Sequence, residues 1–172
     1  YGREKTSEQA LLNAGGRVLR LKSERDAIQF LYENGQDFDL FFLSRVNAGG
    51  PFLEACKRAN DRACIVFNTV DLHFLREERE ARIQANEAGL LRSRKVRERE
   101  LHLARQSDLT IVVSSIEMKI LEDEIPGANV AVMPLCRPIH RQLCNFEDRA
   151  GIGFIGGFAH QPNVDAIRYF LK

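Results

Sequence analysis

Apolar residues fall along this chain in two rhythms, short unbroken runs and stripes that recur at helical spacing. The runs at 40–43, 65–67, 109–113 and 130–133 are rich in branched and aromatic residues and lack an alternating polar face. Such runs predict strands buried on both faces. The stripes between them predict helices. Ser23 opens one in which Ala27, Ile28, Phe30 and Leu31 share a side, and Asn34-Gly35 stops it. Phe52, Leu53 and Cys56 mark the next, and residues 74–106 form one long helical region or two helices broken near 86–89. Ser115 is an N-cap candidate for a helix with Leu121 and Ile125 on its apolar face, ended by Pro126-Gly127. Weaker patterns predict an opening helix within 1–13, a short strand at 18–21, a strand at 152–155 and a helix at 163–171.

Strand and helix alternate throughout, with connections of crossover length. That predicts an α/β fold, a Rossmann-like parallel sheet with helices on both faces. The irregular, charged stretch 135–150 reads as an interdomain linker. On this division residues 1–134 are the latter part of an N-terminal domain, and residues 151–172 the first strand and helix of a second. The chain opens on Tyr1 and closes inside a helical pattern, so a fragment of a longer two-domain protein is expected.

Charge narrows the partners. A net charge of +1 argues against a dedicated nucleic-acid surface. Arg and Glu interleave through 76–80 and 97–100, with i,i+4 spacings such as Glu78 to Arg82, which predicts a solvated helix face. The arginines nearest the strand ends remain within reach of an anionic ligand. The four cysteines, Cys56, Cys64, Cys136 and Cys144, lack the paired spacing of a zinc site, and no metal is expected. Cys56 and Cys64 lie in apolar segments and read as buried free thiols, which fits a reducing, cytoplasmic location. No apolar run approaches a membrane span, which leaves peripheral membrane contact open.

In open α/β sheets, ligands bind at the carboxyl ends of the strands. Asp71 and His73 stand where the strand 65–67 ends and are the first candidates for chemistry. Imidazole can donate to a phosphate or sugar oxygen, or exchange a proton near neutral pH. Asp71 can orient it, contact substrate hydroxyls, or cap the following helix. A literal G-x-G-x-x-G occurs at Gly151, Gly153 and Gly156, but inside an expected strand rather than after one, so it fails as a dinucleotide fingerprint. Gly156 and Gly157, at that strand's end, are where backbone could approach a ligand, and His160 lies in the loop that follows. Gly49 and Gly50 precede a helix without the Lys-Ser/Thr ending of a P-loop and read as a plain strand-to-helix turn. His102 reads as a helix-face residue and His140 as a solvated linker residue.

Three stretches carry a family resemblance: Thr69-Val70-Asp71-Leu72-His73-Phe74-Leu75-Arg76; Glu100 followed by Ser107-Asp108-Leu109-Thr110-Ile111-Val112-Val113-Ser114; and the segment 154–166 from Phe154-Ile155-Gly156-Gly157 through Asn163-Val164-Asp165-Ala166. In that order they resemble the family 4 retaining glycosyltransferases, which have two Rossmann-like domains in the GT-B arrangement. Pro134-Leu135-Cys136-Arg137-Pro138 stands where that family has Pro-Asn-Gly-Val-Asp, and no Arg or Lys lies between Gly157 and Asp165. The resemblance implies retaining transfer of a sugar from a nucleotide-sugar donor to a carbohydrate, lipid-linked or other hydroxyl acceptor, with no cofactor. His73 and Asp71 would then be catalytic, Gly156, Gly157 and His160 would bind donor, and this portion alone would turn over little. A non-catalytic Rossmann-like binding or regulatory domain is the main rival, and an oxidoreductase a third reading.

Overall fold

The structure, a computed structural model, describes residues 2–136, 145–159 and 161–171. The chain divides into two compact units, Tyr1–Leu135 and Cys136–Lys172. In the first, α1 (Gly2–Asn13) and α2 (Glu24–Asn34) precede β1 (Leu40–Ser44) and α3 (Leu53–Ala59). There follow β2 (Cys64–Asn68), α4 (His73–Ile83), α5 (Glu87–Gln106), β3 (Leu109–Val112), α6 (Ser115–Glu124) and β4 (Val130–Val132). The strands form one parallel sheet in the order β1-β2-β3-β4, flanked by helices, an α/β fold consistent with the Rossmann-like class. Sequential parallel order requires each connection to cross over, and the helices between the strands are those crossovers.

Helix ends follow local chemistry. Ser23 Oγ accepts the Asp26 N–H at 3.2 Å and so starts α2. Asn86 separates α4 from α5, its side chain accepting the Gly89 N–H at 2.9 Å. The N-cap of α6 is Ser114, one residue before the expected Ser115; its Oγ takes the Glu117 N–H at 3.2 Å.

The register pairs Phe41 with Ile65, Leu43 with Phe67, and Phe67 with Thr110, so alternate strand residues share one face. That face packs on Leu53 and Cys56 of α3, Phe74 of α4, Val96 and Leu103 of α5, and Leu121 of α6, one continuous core. Burial pushes the Cys56 thiol up to about 11, so it stays an inert thiol at neutral pH. On the opposite face Leu40 and Phe42 are 49% and 48% exposed. Cys64 lies in register with Leu40 on that face and is exposed, contrary to the expectation of a buried thiol. Residues 18–21 form no strand, because no strand among the described residues pairs with them.

In the second unit Asn145 and Asp148 close a capping box around a 3₁₀ turn, Phe146–Asp148. Residues 151–157 pair with no strand among the described residues, so the expected strand at 152–155 lacks the partner that would make it one. The Phe154 and Phe158 rings stack at 6.3 Å, and α7 (Gln161–Phe170) follows.

Between β1 and α3 the chain makes a π-helical turn, Arg45–Gly49, and a 3₁₀ turn, Gly50–Phe52. A Cβ on Gly49 would lie 2.5 Å from the Ser44 nitrogen and 2.8 Å from the Leu43 carbonyl carbon. Glycine is therefore needed for backbone to lie on backbone. Gly49→Ala should lower the unfolding free energy by about 1–3 kcal/mol, the usual range for overpacking. A urea titration with an unchanged midpoint would contradict this.

Candidate functional site

The site is built where β2 hands over to α4. Thr69 donates both its N–H and its hydroxyl to the Ile111 carbonyl, at 3.0 and 3.2 Å, which ties the end of β2 to β3. Val70 then adopts φ +65°. A β-branched residue in the left-handed region is a genuine strain, worth on the order of 1–3 kcal/mol. Its N–H is held by Asn68 Oδ1 at 3.3 Å. Arg45, just past β1, has φ +66°, and Ser44 is the register partner of Asn68. Two strained residues thus stand at the carboxyl ends of adjacent strands, where α/β folds place ligands.

The N–H groups that follow are nearly all taken by buried or half-buried carboxylates. Glu117 Oε1 accepts from Leu72 and Oε2 from Val113, each at 3.2 Å, so one side chain joins the β2–α4 loop to the end of β3. Glu100, fully buried on α5, accepts from His73 at 3.1 Å and from Phe74 at 3.0 Å. These are among the first N–H groups of α4, which have no partner within the helix. The positive end of the helix favours the carboxylate placed there. Burial nevertheless pushes the Glu100 carboxyl above the ordinary range, against the pull of the Phe74 and His73 N–H groups and of the His73 ring, with Asp71 adding repulsion.

The structure brings Asp71 and His73 together. His73 Nδ1 lies 3.0 Å from the Asp71 carbonyl oxygen, 3.5 Å from Asp71 Oδ1 and 3.6 Å from Glu100 Oε1. A carbonyl can only accept, so Nδ1 carries the proton, and in the neutral ring Nε2 keeps its lone pair. Nε2 has no hydrogen-bond partner among the described residues. His73 is 7% exposed, enough for a single polar contact and too little for a solvated side chain. The half-buried Asp71 carboxylate pairs with Arg76 on the first turn of α4. Asp71 does not cap α4: the N-cap residue is Leu72, which makes no side-chain bond.

The expected donor-side residues lie in the other unit. Asn163 Nδ2 donates to the Gly157 carbonyl at 3.0 Å, closing the loop over itself. A Cβ on Gly156 would meet Asn163 Nδ2 and the Phe154 ring, each at 2.8 Å, whereas one on Gly157 would meet nothing within 4 Å. His160, like His140 and Cys144, lies outside the described residues. Among the described residues no group of His, Cys, Asp and Glu has the arrangement of a metal site.

Sequence reasoning did not single out Val70, Arg45 or Glu117, and took Glu100 only as a family marker. Glu100 had a signal of its own. It falls in the stripe of Val96, Leu103 and Ala104, and a carboxylate on a buried helix face requires donors to meet it.

Glu100→Gln should cost about 1–3 kcal/mol in urea unfolding, because an amide keeps one acceptor for two buried N–H groups. The raised carboxyl also fixes a pH dependence. Stability from its protonated form is complete below the unfolded-state value of about 4.3 and is lost as pH rises through the folded value. The difference between native protein and Glu100→Gln should therefore shrink as pH rises across that window; a constant difference would refute it. No protein-family model, curated protein or solved structure matches this chain.

Proposed function

We propose that the first unit is the acceptor-side portion of a retaining glycosyltransferase that moves a sugar from a nucleotide-sugar donor to an acceptor hydroxyl. One observation carries the reading: His73 Nδ1 donates to the Asp71 carbonyl, which leaves Nε2 without a partner among the described residues and, in the neutral ring, an acceptor. A hydrogen-bond acceptor of this kind suits a sugar or acceptor hydroxyl better than a phosphate, which itself only accepts. Asp71 holds the ring through its carbonyl and is itself held by Arg76, which makes it a positioning residue first. The resemblance supplies the donor, the retention and the donor-side roles of Gly156, Gly157 and His160.

The Asp71–Arg76 pair also favours a second reading, a non-catalytic sugar-binding domain, because the Asp71 carboxylate is already engaged by a guanidinium within the chain. Both readings require a hydroxyl ligand at Nε2; only the first requires sugar transfer.

Long-range proton–nitrogen NMR of the chain should show His73 protonated at Nδ1, with the Nε2 resonance moving on titration with a panel of hexoses and polyols. His73→Ala should weaken that binding about tenfold, the worth of one hydrogen bond. Ligand shifts that survive the substitution would overturn both readings. Sugar transfer from a nucleotide-sugar panel, lost in His73→Ala, would separate the enzyme from the binding domain.

A further inference from the structure

Beside this site lies a cleft of about 550 Å³, enclosed by α4, α5 and the turn that carries Asn47. Its volume is that of a small-molecule site. Arg92, Lys95 and Arg99 line it from α5, at i, i+3 and i+7, and so form one stripe about 10 Å long.

Arg82 pairs with Glu78, Arg97 with Glu124 and Arg76 with Asp71. Arg92, Lys95 and Arg99 make no ion pair among the described residues. Of the other cations of the hairpin, Arg79 and Arg94 also make no ion pair among the described residues, so what sets this stripe apart is that its three cations line one cleft. Glu98, three residues from Lys95, lines a separate cleft with Arg94 and Arg97. Lys95 and Arg99 are like charges at i,i+4, an arrangement that destabilises a helix by a few tenths of a kcal/mol and returns nothing to the fold. Glu77 and Glu80 share the cleft and add hydrogen-bond acceptors to its cations.

We propose that this cleft binds a phosphorylated polyol: the phosphate groups lie on Arg92, Lys95 and Arg99, and the hydroxyls donate to Glu77 and Glu80. Guanidinium forks take phosphate oxygens in pairs, and a lysine adds a point charge. The length of the stripe exceeds the reach of one compact anion, so a ligand with two anionic groups, or a phosphate with an extended polyol, fits best. A long polyanion does not, since the whole-chain charge of +1 would not draw it in. The proposal stands whether or not the chain transfers sugar.

Fructose 1,6-bisphosphate, titrated calorimetrically at low salt, tests a soluble ligand. Flotation with phosphatidylglycerol in phosphatidylcholine vesicles tests a lipid headgroup. In at least one arm binding should be saturable, weaken as salt is added, fall at least about tenfold in Lys95→Gln and disappear in the Arg92→Gln/Lys95→Gln/Arg99→Gln chain. Arg94→Gln, on the other cleft, should bind as the native chain does. The single substitution decides the matter should the triple variant fail to fold. Absence of binding in both arms, binding that survives Lys95→Gln, or equal loss in Arg94→Gln would overturn the proposal.

Discussion

The Glu100 carboxylate, buried beneath the first turn of α4, is the constraint on which the rest of the site depends. Two backbone N–H groups and the positive end of the helix offset part of the cost of a buried charge there. In many α/β proteins the same helix end is left open to receive a ligand phosphate. Here the protein fills it with its own anion. A ligand anion cannot use that helix end, and cations of α5 face a cleft alongside.

With the helix start fixed, the strain just before it can be sustained. Val70 would relax out of the left-handed region if either side were free. Asn68 and Thr69 hold the strand side, and Glu117 and Glu100 hold the helix side. Strained backbone persists only where its surroundings over-determine it, and four independent anchors around one residue meet that condition. The product of the strain is the placement of the Asp71 carbonyl against His73 Nδ1, which sets the tautomer.

The parallel sheet was legible because its strands are apolar runs bounded by turn residues and joined by helices; the order β1-β2-β3-β4 was not, since helical crossovers suit other orders equally. The break at Asn86 and the cap at Ser23 were legible because both are short-range chemistry. Exposure of Leu40, Phe42 and Cys64 was not legible, since a continuous apolar run states hydrophobicity and not which face will be covered. Asp71 and His73 could be placed from strand-end position alone. Their hydrogen bonds could not, because Glu100 and Glu117 come from helices 27 and 45 residues further along the chain. A carboxylate's role as a cap for a distant segment leaves only one local trace, a charge on an apolar stripe.

Read together, the two faces of the α4–α5 hairpin assign different work to the same mixture of residues. On one, Arg82 and Arg97 are satisfied by Glu78 and Glu124, and Arg97 lies 6.0 Å over the Phe74 ring. That face holds α5 to α4 and α6, and its charges answer to the fold. On the other, Arg76 is committed to Asp71 while Arg92, Lys95 and Arg99 repel one another along a single stripe. Sequence composition cannot separate these cases, since both faces read as interleaved Arg and Glu. The distinction is one of pairing. Where cations are neutralised within the chain the structure itself explains them; where three line one cleft without an ion pair, the proposed anionic ligand is what would answer to them. Arg76 joins the two systems, because it borders the cleft and holds the carboxylate that orients His73. An anion drawing Arg76 toward the cleft would loosen Asp71, and through it the ring, so the two proposed ligands, were both to bind, would be coupled through one guanidinium.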